Sequence, residues 1–533
     1  MSDVIEIPKF HIPKSKELGD FQTPYTLTKS ICCLVDKEKF TPTLLLEPSC
    51  GKGNFIISAL ETFPSIKTVI AIELQEHYKE EFFSQLMESK IDLNTKKVIF
   101  ITKSFFEINF KDIFETNGIS IKQESVLILG NPPWVTNSYL GTVNVSNLPK
   151  KSNFKIKLKG LDALTGKSNF DIAETFILRL LDQFYTTNFY LLQICKTSTA
   201  QNILRNYKLY IDRFSISSYI INAKKEFDIS ASANVLHFRN SCDASHEPKC
   251  SVYSLNEPNN LLYSFGYSNG KFVSNIVNYS SLSVLEGQFC YQWRQGLKHD
   301  ASSILVLEKL ADGIYKNKLK ERILLENEFI YPLVKSSDIK HPVLQKTKYF
   351  VLVTQTKFGK NGEVDFGPFP KTLNYLESKI EYFSKRKSKI YQNQSKYAIF
   401  GIGDYSFKKF KIVISGFYKK LQFSLLLSCN DKPIMVDDTC YTISFDSLVE
   451  AVFIWIILAS SKVEKFIKSI TFIDNKRPYK KEVLQRLDVH HLLKILSDNE
   501  FEKYFKELEK YELPITFQEV LAFKKNFMHQ NSN

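Results

Sequence analysis

Four short apolar runs punctuate the first 130 residues at nearly even intervals: Thr43–Glu47, Lys67–Glu73, Lys97–Thr102 and Ser125–Gly130. Each is almost uninterrupted and each stops at a polar residue or a glycine. Runs this short fit strands that are covered on both faces. Between them lie stretches with helical character, such as Gln75–Lys90. Buried strands alternating with helices satisfy their backbone groups in a doubly wound parallel sheet, so the reading is an α/β fold of that kind. Ahead of the first run, Thr23-Pro24 predicts a helix start, with the threonine as cap and the proline in the first turn.

The rhythm then breaks. Residues 135–167 are rich in Asn, Ser, Gly and Lys, and Lys-Ser-Asn-Phe occurs at 151–154 and again at 167–170. A stretch of that length without periodicity reads as a long functional loop. Near Asn240–Lys249 the chain turns polar and irregular, which predicts a linker. The organisation is therefore a first domain over 1–245 and a second, mixed α+β domain over 246–533, helical from about Arg486 onward. A chain of 533 residues, 44% hydrophobic and 24% charged, is globular and needs more than one domain.

The apolar run Leu448–Ser460 contains Glu450 and is shorter than the ~20 residues of a spanning helix. The amino terminus has no apolar signal core. Nine cysteines without a C-x-x-C pair suit reduced thiols, and Cys242 and Cys250 around His246 match no zinc spacing. These features predict a cytoplasmic location, no membrane and no metal.

The formal net charge is +14. Between His341 and Lys420 stand sixteen Lys and Arg against five Asp and Glu, a local excess of eleven. Tyr349, Phe350, Phe358, Tyr375, Tyr382, Phe383, Tyr391 and Phe407 are interleaved with them. Such a stretch is either a solvated lysine-rich face or a surface that follows a nucleic-acid backbone with rings available for stacking.

Two motifs carry chemistry. Glu47-Pro48-Ser49-Cys50-Gly51-Lys52-Gly53-Asn54-Phe55 closes the first strand with glycines that permit a sharp turn and a close ligand approach. No Gly-Lys-Ser/Thr phosphate loop and no G-x-G-x-x-G is present. At the end of the second strand, Glu73 can hold both hydroxyls of a ribose, or simply begin a helix. The more specific signal is Gly130-Asn131-Pro132-Pro133-Trp134, directly after the fourth strand. Pro132 and Pro133 stiffen the backbone, so that the Asn131 side-chain carbonyl and the Pro132 backbone carbonyl become two fixed acceptors. Aimed at one amino group, they would hold both its hydrogens and turn its lone pair out of conjugation. Trp134 offers a face for a flat substrate.

Asn-Pro-Pro-Trp resembles the (N/D/S)-P-P-(Y/F/W) box of S-adenosylmethionine-dependent amino-methyltransferases. The order of Thr23-Pro24, glycine loop, box and a carboxyl-terminal recognition region is similar to the gamma class of adenine-N6 DNA methyltransferases of bacterial restriction–modification systems, in the Taq-type layout. The carboxyl half is similar more loosely, through Gln295–Asp300, Asp437–Tyr441 and Asp474–Tyr479. The resemblance implies a Rossmann-like methyltransferase domain followed by a target-recognition domain. It implies that Thr23, Glu47, Pro48, Gly51 and Gly53 line the methionine end of S-adenosylmethionine and that Glu73 holds its ribose. Asn131 and Pro132 would grip the adenine amino group while Trp134, with Phe227 as a second ring, stacks on the flipped base. Lys167–Asp171 would border the cofactor pocket. After the third strand the family carries an Asp against the cofactor's adenine, where this chain has Ser104, which implies a changed contact.

The implied reaction is methyl transfer to adenine N6 in double-stranded DNA without a covalent enzyme intermediate. Lys155, Lys157 and Lys159 would close over phosphates, with a separately encoded restriction endonuclease as the companion activity. The same box serves enzymes that methylate RNA adenines or a protein glutamine amide; the basic second half argues against the amide and leaves RNA open. A non-catalytic DNA-binding subunit retaining the fold is a further reading. Asp365 with Glu377-Ser378-Lys379 faintly resembles a nuclease site, at a spacing common in lysine-rich chains.

Overall fold

The computed structural model describes residues 21–134, 171–240 and 247–530. The chain divides into two compact units, Met1–Val277 and Asn278–Asn533.

The first unit is built on one ten-stranded sheet. Its strands are β1 (Leu44–Glu47), β2 (Thr68–Glu73), β3 (Lys97–Thr102), β4 (Ser125–Gly130), β5 (Asn188–Lys196), β6 (Phe214–Ile221), β7 (Ala233–Asn240), β8 (Lys249–Ser254), β9 (Glu257–Ser268) and β10 (Lys271–Val273). Their spatial order is β10-β9-β8-β6-β7-β5-β4-β1-β2-β3. Strands β1 to β5 are mutually parallel, with Leu44 opposite both Thr68 of β2 and Val126 of β4. Strand β7 runs antiparallel to β5 and β6. The four apolar runs are thus the parallel centre and one flank of the sheet, within a residue of their expected bounds.

The sheet is buried because helices cover it. Helix α1 (Tyr25–Lys37) and helix α2 (Asn54–Thr62) place Ile31, Val35, Ile56 and Leu60 in the same core as Leu45, Val69 and Leu127. Helix α3 spans Tyr78–Glu88 inside the expected stretch and buries Phe82 and Leu86 there. The start of α1 differs from expectation. Pro24 is the cap residue, with no side-chain bond, and the Thr23 carbonyl instead accepts from Asn54 Nδ2 at 2.8 Å. That tie fastens the segment before α1 to the helix that follows the glycine loop.

The domain boundary also differs. The first unit runs to Val277 rather than 245, because β8 pairs in parallel with β6 and β9 returns against β8. Backbone pairing carries the sheet across the polar stretch that reads as a linker; residues 241–246 themselves lie outside the described residues.

The second unit holds two sheets. One orders Arg294–Gln295, Cys440–Phe445, Phe410–Ser415, Phe423–Leu426 and Val343–Leu344; the other orders Arg322–Leu324, Ile314–Asn317, Val306–Ala311, Tyr349–Leu352, Ile330–Val334 and Met435–Val436. The apolar run at Leu448 forms a helix, Leu448–Ala459, buried from Ala451 to Leu458. Its Trp455 Nε1 donates to the Phe423 carbonyl at 3.1 Å, which docks the helix on a strand. Among the described residues, no helix is long and apolar enough to cross a membrane. The chain ends in helices Val489–Ile495, Asp498–Glu509 and Phe517–Gln530.

The basic stretch is partly structural. Lys411 is 1% exposed, Tyr375 and Phe383 belong to the core, and Arg386 donates to the Ala398 carbonyl at 2.5 Å. Lys379 pairs with Glu321 at 2.6 Å, which engages the lysine of the faint nuclease pattern. Of those eight interleaved rings only Phe358 is exposed; the other exposed rings of the stretch are Phe400, Phe417 and Tyr418.

Candidate active site

In the sheet order, the chain reverses direction of winding between β1 and β4. Connections leave these two strands toward opposite sides, and the crevice this opens at their carboxyl ends is where open parallel sheets bind ligands. Glu47 ends β1, Glu73 ends β2 and Gly130 ends β4, so both motifs meet at that crevice.

The glycine loop is held from two sides. Glu73 Oε2 accepts from the Gly51 amide at 2.8 Å, and Oε1 accepts from the Gln75 amide at 2.9 Å. From the other side, Gln22 Oε1 accepts from the Lys52 amide at 3.2 Å. Gly51 and Gly53 adopt φ of +49° and +85°. A Cβ on Gly51 would fall 2.5 Å from Gln22 Oε1, and one on Gly53 would fall 2.4 Å from the Phe82 ring. Both dihedrals favour glycine, and at Gly53 the space admits nothing larger.

Glu47 is 3% exposed, and its Oε2 has no hydrogen-bond partner among the described residues. Burial, with the nearby Glu73 carboxylate, pushes its carboxyl well above the usual carboxylate range. An unpartnered buried oxygen at the mouth of a glycine loop is an acceptor waiting for a donor. Pro48 is buried beside Gly130, and Thr23 is buried where its segment crosses the loop. Cys50 is 4% exposed, and burial pushes its thiol up, which disfavours the thiolate. Ser104 is buried at the end of β3, where its Oγ accepts from the Phe106 amide at 3.3 Å and caps a short turn.

The box at the end of β4 is oriented from outside itself. Asn131 Nδ2 donates to the Phe21 carbonyl at 3.0 Å, while Asn131 Oδ1 is buried without a partner among the described residues. Pro132 is buried and Pro133 half-buried. Trp134 is 7% exposed and packs edge-on against Phe227, with ring centroids 5.5 Å apart. Phe21 completes the group at 6.1 Å from Trp134 and 6.5 Å from Phe227. Phe227 ends the short helix Ala223–Phe227 between β6 and β7.

Sequence reasoning missed Lys196, Phe21 and Gln22, which hold the box and the loop, and named Asp171 only as a border of the cofactor pocket. Lys196, the last residue of β5, donates from Nζ to the Trp134 carbonyl at 3.1 Å. Its Nζ also lies 3.6 Å from Asp171 Oδ2, which accepts from Thr199 Oγ1 at 3.2 Å. Asp171 in turn caps helix Ile172–Phe184. Phe21 and Gln22 carry no signal in the sequence beyond adjacency to Thr23-Pro24. Lys155, Lys157, Lys159 and Lys167 to Phe170 lie outside the described residues. Among the described residues, no group of three or more His, Cys, Asp or Glu is placed to hold a metal ion.

No family model matches the chain. It is 35% identical to the type II methyltransferase M.NspV of Nostoc sp. (strain ATCC 29411 / PCC 7524) over 491 residues, covering 91% of this chain and 99% of that protein. The type IIL restriction–modification enzyme MmeI, solved in complex with DNA, superimposes with a TM-score of 0.52 over 95% of this chain and 75% of its own, at 12% identity. The type IIG restriction endonuclease BpuSI aligns over 93% of this chain and 61% of its own with a TM-score of 0.35. The likeness to MmeI supports the shared fold, and the extended identity to M.NspV settles the family. The chain belongs to the type II methyltransferases of restriction–modification systems.

Proposed function

We propose that this protein methylates adenine N6 in double-stranded DNA, as the modification enzyme of a restriction–modification system in the cytoplasm, with a separately encoded endonuclease as its companion. The observation that carries the reading is the buried, unpartnered Asn131 Oδ1 beside Trp134 and Phe227. A flat ring bearing an amino group supplies what that arrangement lacks: a donor for the oxygen and a face for the rings.

S-adenosylmethionine fits the glycine loop. The buried, unpartnered Glu47 oxygen at the end of β1 suits a ligand with a cationic amino group at close quarters. Glu73 accepts the Gly51 and Gln75 amides, which sets its carboxylate at the end of β2, where the ribose would lie. When bound, S-adenosylmethionine supplies an electrophilic methyl group on a sulfonium.

The chain's own residues then act by position. Asn131 Oδ1 and the Pro132 carbonyl accept the two amino hydrogens and hold the nitrogen lone pair out of the ring system. Their stabilisation grows as the nitrogen becomes positive, which lowers the barrier without a protein nucleophile. Both are weak bases, so the proton released on methylation leaves to solvent. Trp134 and Phe227 offset part of the unstacking of the extruded base. Ser104, already capping its turn, would contact the cofactor's adenine by its remaining hydrogen-bonding capacity.

The test is sequencing with base-modification detection on DNA from cells expressing the protein, with purified protein assayed on matched duplex DNA and RNA. N6-methyladenine at a defined DNA site supports the reading. Methylated RNA with unmodified DNA, or no methylation of either, overturns it.

A further inference from the structure

The three carboxyl-half stretches at Gln295–Asp300, Asp437–Tyr441 and Asp474–Tyr479 have no part in the chemistry above, yet the fold ties them together. The Leu297 amide donates to the Val436 carbonyl at 2.7 Å, and the Asp438 amide returns to the Leu297 carbonyl at 3.0 Å. The Asp438 carbonyl accepts from Gln295 Nε2 at 2.7 Å and from Arg477 Nη1 at 3.1 Å, so all three stretches converge on one residue. The approach at Gly296 is close enough that a Cβ would lie 2.2 Å from the Val436 carbonyl oxygen.

From this knot projects the loop 416–420, between the strands Phe410–Ser415 and Phe423–Leu426. Both of its ends are pinned. The Gly416 amide donates to the Thr439 carbonyl at 2.9 Å, and Ser415 Oγ accepts from the Phe417 and Tyr418 amides at 3.2 and 3.1 Å. At the far end, Oη of the fully buried Tyr479 donates to the Lys419 carbonyl at 2.8 Å. The tip nevertheless presents Phe417 at 36% and Tyr418 at 50% exposure, with the Arg477 guanidinium 4.6 Å over the Phe417 ring.

A loop braced at both ends holds two large rings in water, beside the exposed Lys420 and the exposed Lys419 that contacts Asp474. The nearby acids are engaged within the knot. Asp437 Oδ1 accepts from the Thr439 amide at 3.0 Å, Asp438 Oδ2 lies 3.9 Å from Arg477, and Asp474 Oδ1 lies 3.8 Å from Lys419. What remains outward is aromatic and positive. That pairing suits a DNA groove, where rings pack against sugars and base edges at little cost in side-chain entropy and lysines displace counterions.

We propose that the loop 416–420 is the element with which the carboxyl half engages duplex DNA, Tyr418 and Phe417 packing against sugars and base edges in a groove and Lys420 facing a phosphate. The inference rests on DNA being the substrate. Its test uses the full-length protein and a plasmid fragment that the wild type methylates. Tyr418→Ala should weaken binding about tenfold or more, as when an aromatic anchor is removed from an interface, with S-adenosylmethionine affinity and melting temperature unchanged and Tyr418→Phe close to wild type. Lys420→Gln should lower the slope of log Kd against log salt by about one. Wild-type affinity and slope in both variants would overturn the loop's role while leaving the substrate reading intact. A wild type that neither binds nor methylates duplex DNA would overturn both.

Discussion

Asn131 gives its side-chain N–H to the Phe21 carbonyl, 110 residues earlier in the chain, and so leaves its buried Oδ1 without a donor among the described residues. The bond fixes which end of the amide is tethered and which end stays free for a donor. Asn131→Ala removes the acceptor and the tether together. Turnover should fall by about 10²–10³-fold or more, as when one oriented hydrogen-bonding group is deleted from an active site. S-adenosylmethionine affinity, read by calorimetry, should stay within a few-fold of wild type.

Lys196 is a positioning residue, because it reaches the box through the Trp134 backbone and not through substrate. Lys196→Met should lower kcat/KM for DNA about tenfold or more, the effect of losing a charged hydrogen bond. It should also reduce the fluorescence rise of 2-aminopurine placed at the target base, a signal of extrusion that a merely less stable protein would not change. Lys196→Arg should restore part of both, and cofactor affinity should stay constant.

Gly53→Ala and Gly51→Ala share a left-handed backbone but differ in what the new methyl meets. At Gly53 a positive φ costs about 1–2 kcal/mol for an L-residue, and the new methyl meets the fully buried Phe82 ring. At Gly51 the obstacle is the end of the Gln22 side chain, which can move. Gly53→Ala should therefore lower the melting temperature more and eliminate cofactor binding, while Gly51→Ala weakens binding with a smaller change in stability.

Lys411 is buried in its strand, and its Nζ donates to the Lys408 carbonyl at 2.6 Å. Burial lowers its pKa to about 7 from an ordinary value near 10.5. The unfolded chain thus holds this proton across pH 7 to 10.5 where the folded chain has lost it, so stability from this group rises with pH over that window. Below about pH 7 the full penalty of a buried charge remains. Lys411→Met should stabilise the protein by roughly 1–4 kcal/mol at about pH 6, and the gain should shrink toward about pH 10. Denaturant titrations at the two pH values read this directly.

The central strands were legible because buried parallel strands have a composition of their own: Leu44–Leu46 and Val126–Leu129 are apolar at every position and buried at every position. The box was legible because two prolines after a strand leave few alternatives. Lys196 and Phe21 were not, since one acts through a backbone carbonyl and the other offers only its own carbonyl; neither role leaves a mark on residue type. The extent of the first unit was hidden for a related reason. Strand β9, Glu257–Ser268, is largely exposed and polar at its start, and only its pairing with β8 makes it part of the sheet.

That pairing bears on how the protein can be taken apart. Strand β8 covers the outer edge of β6 from Ile216 to Ile220. A truncation or domain exchange cut at residue 245 would strip that cover and leave β6 as an open edge, able to recruit any other extended chain. A cut beyond Val277 keeps the ladder closed, so the workable seam for recombining the two halves lies well past the stretch that looks most like a linker.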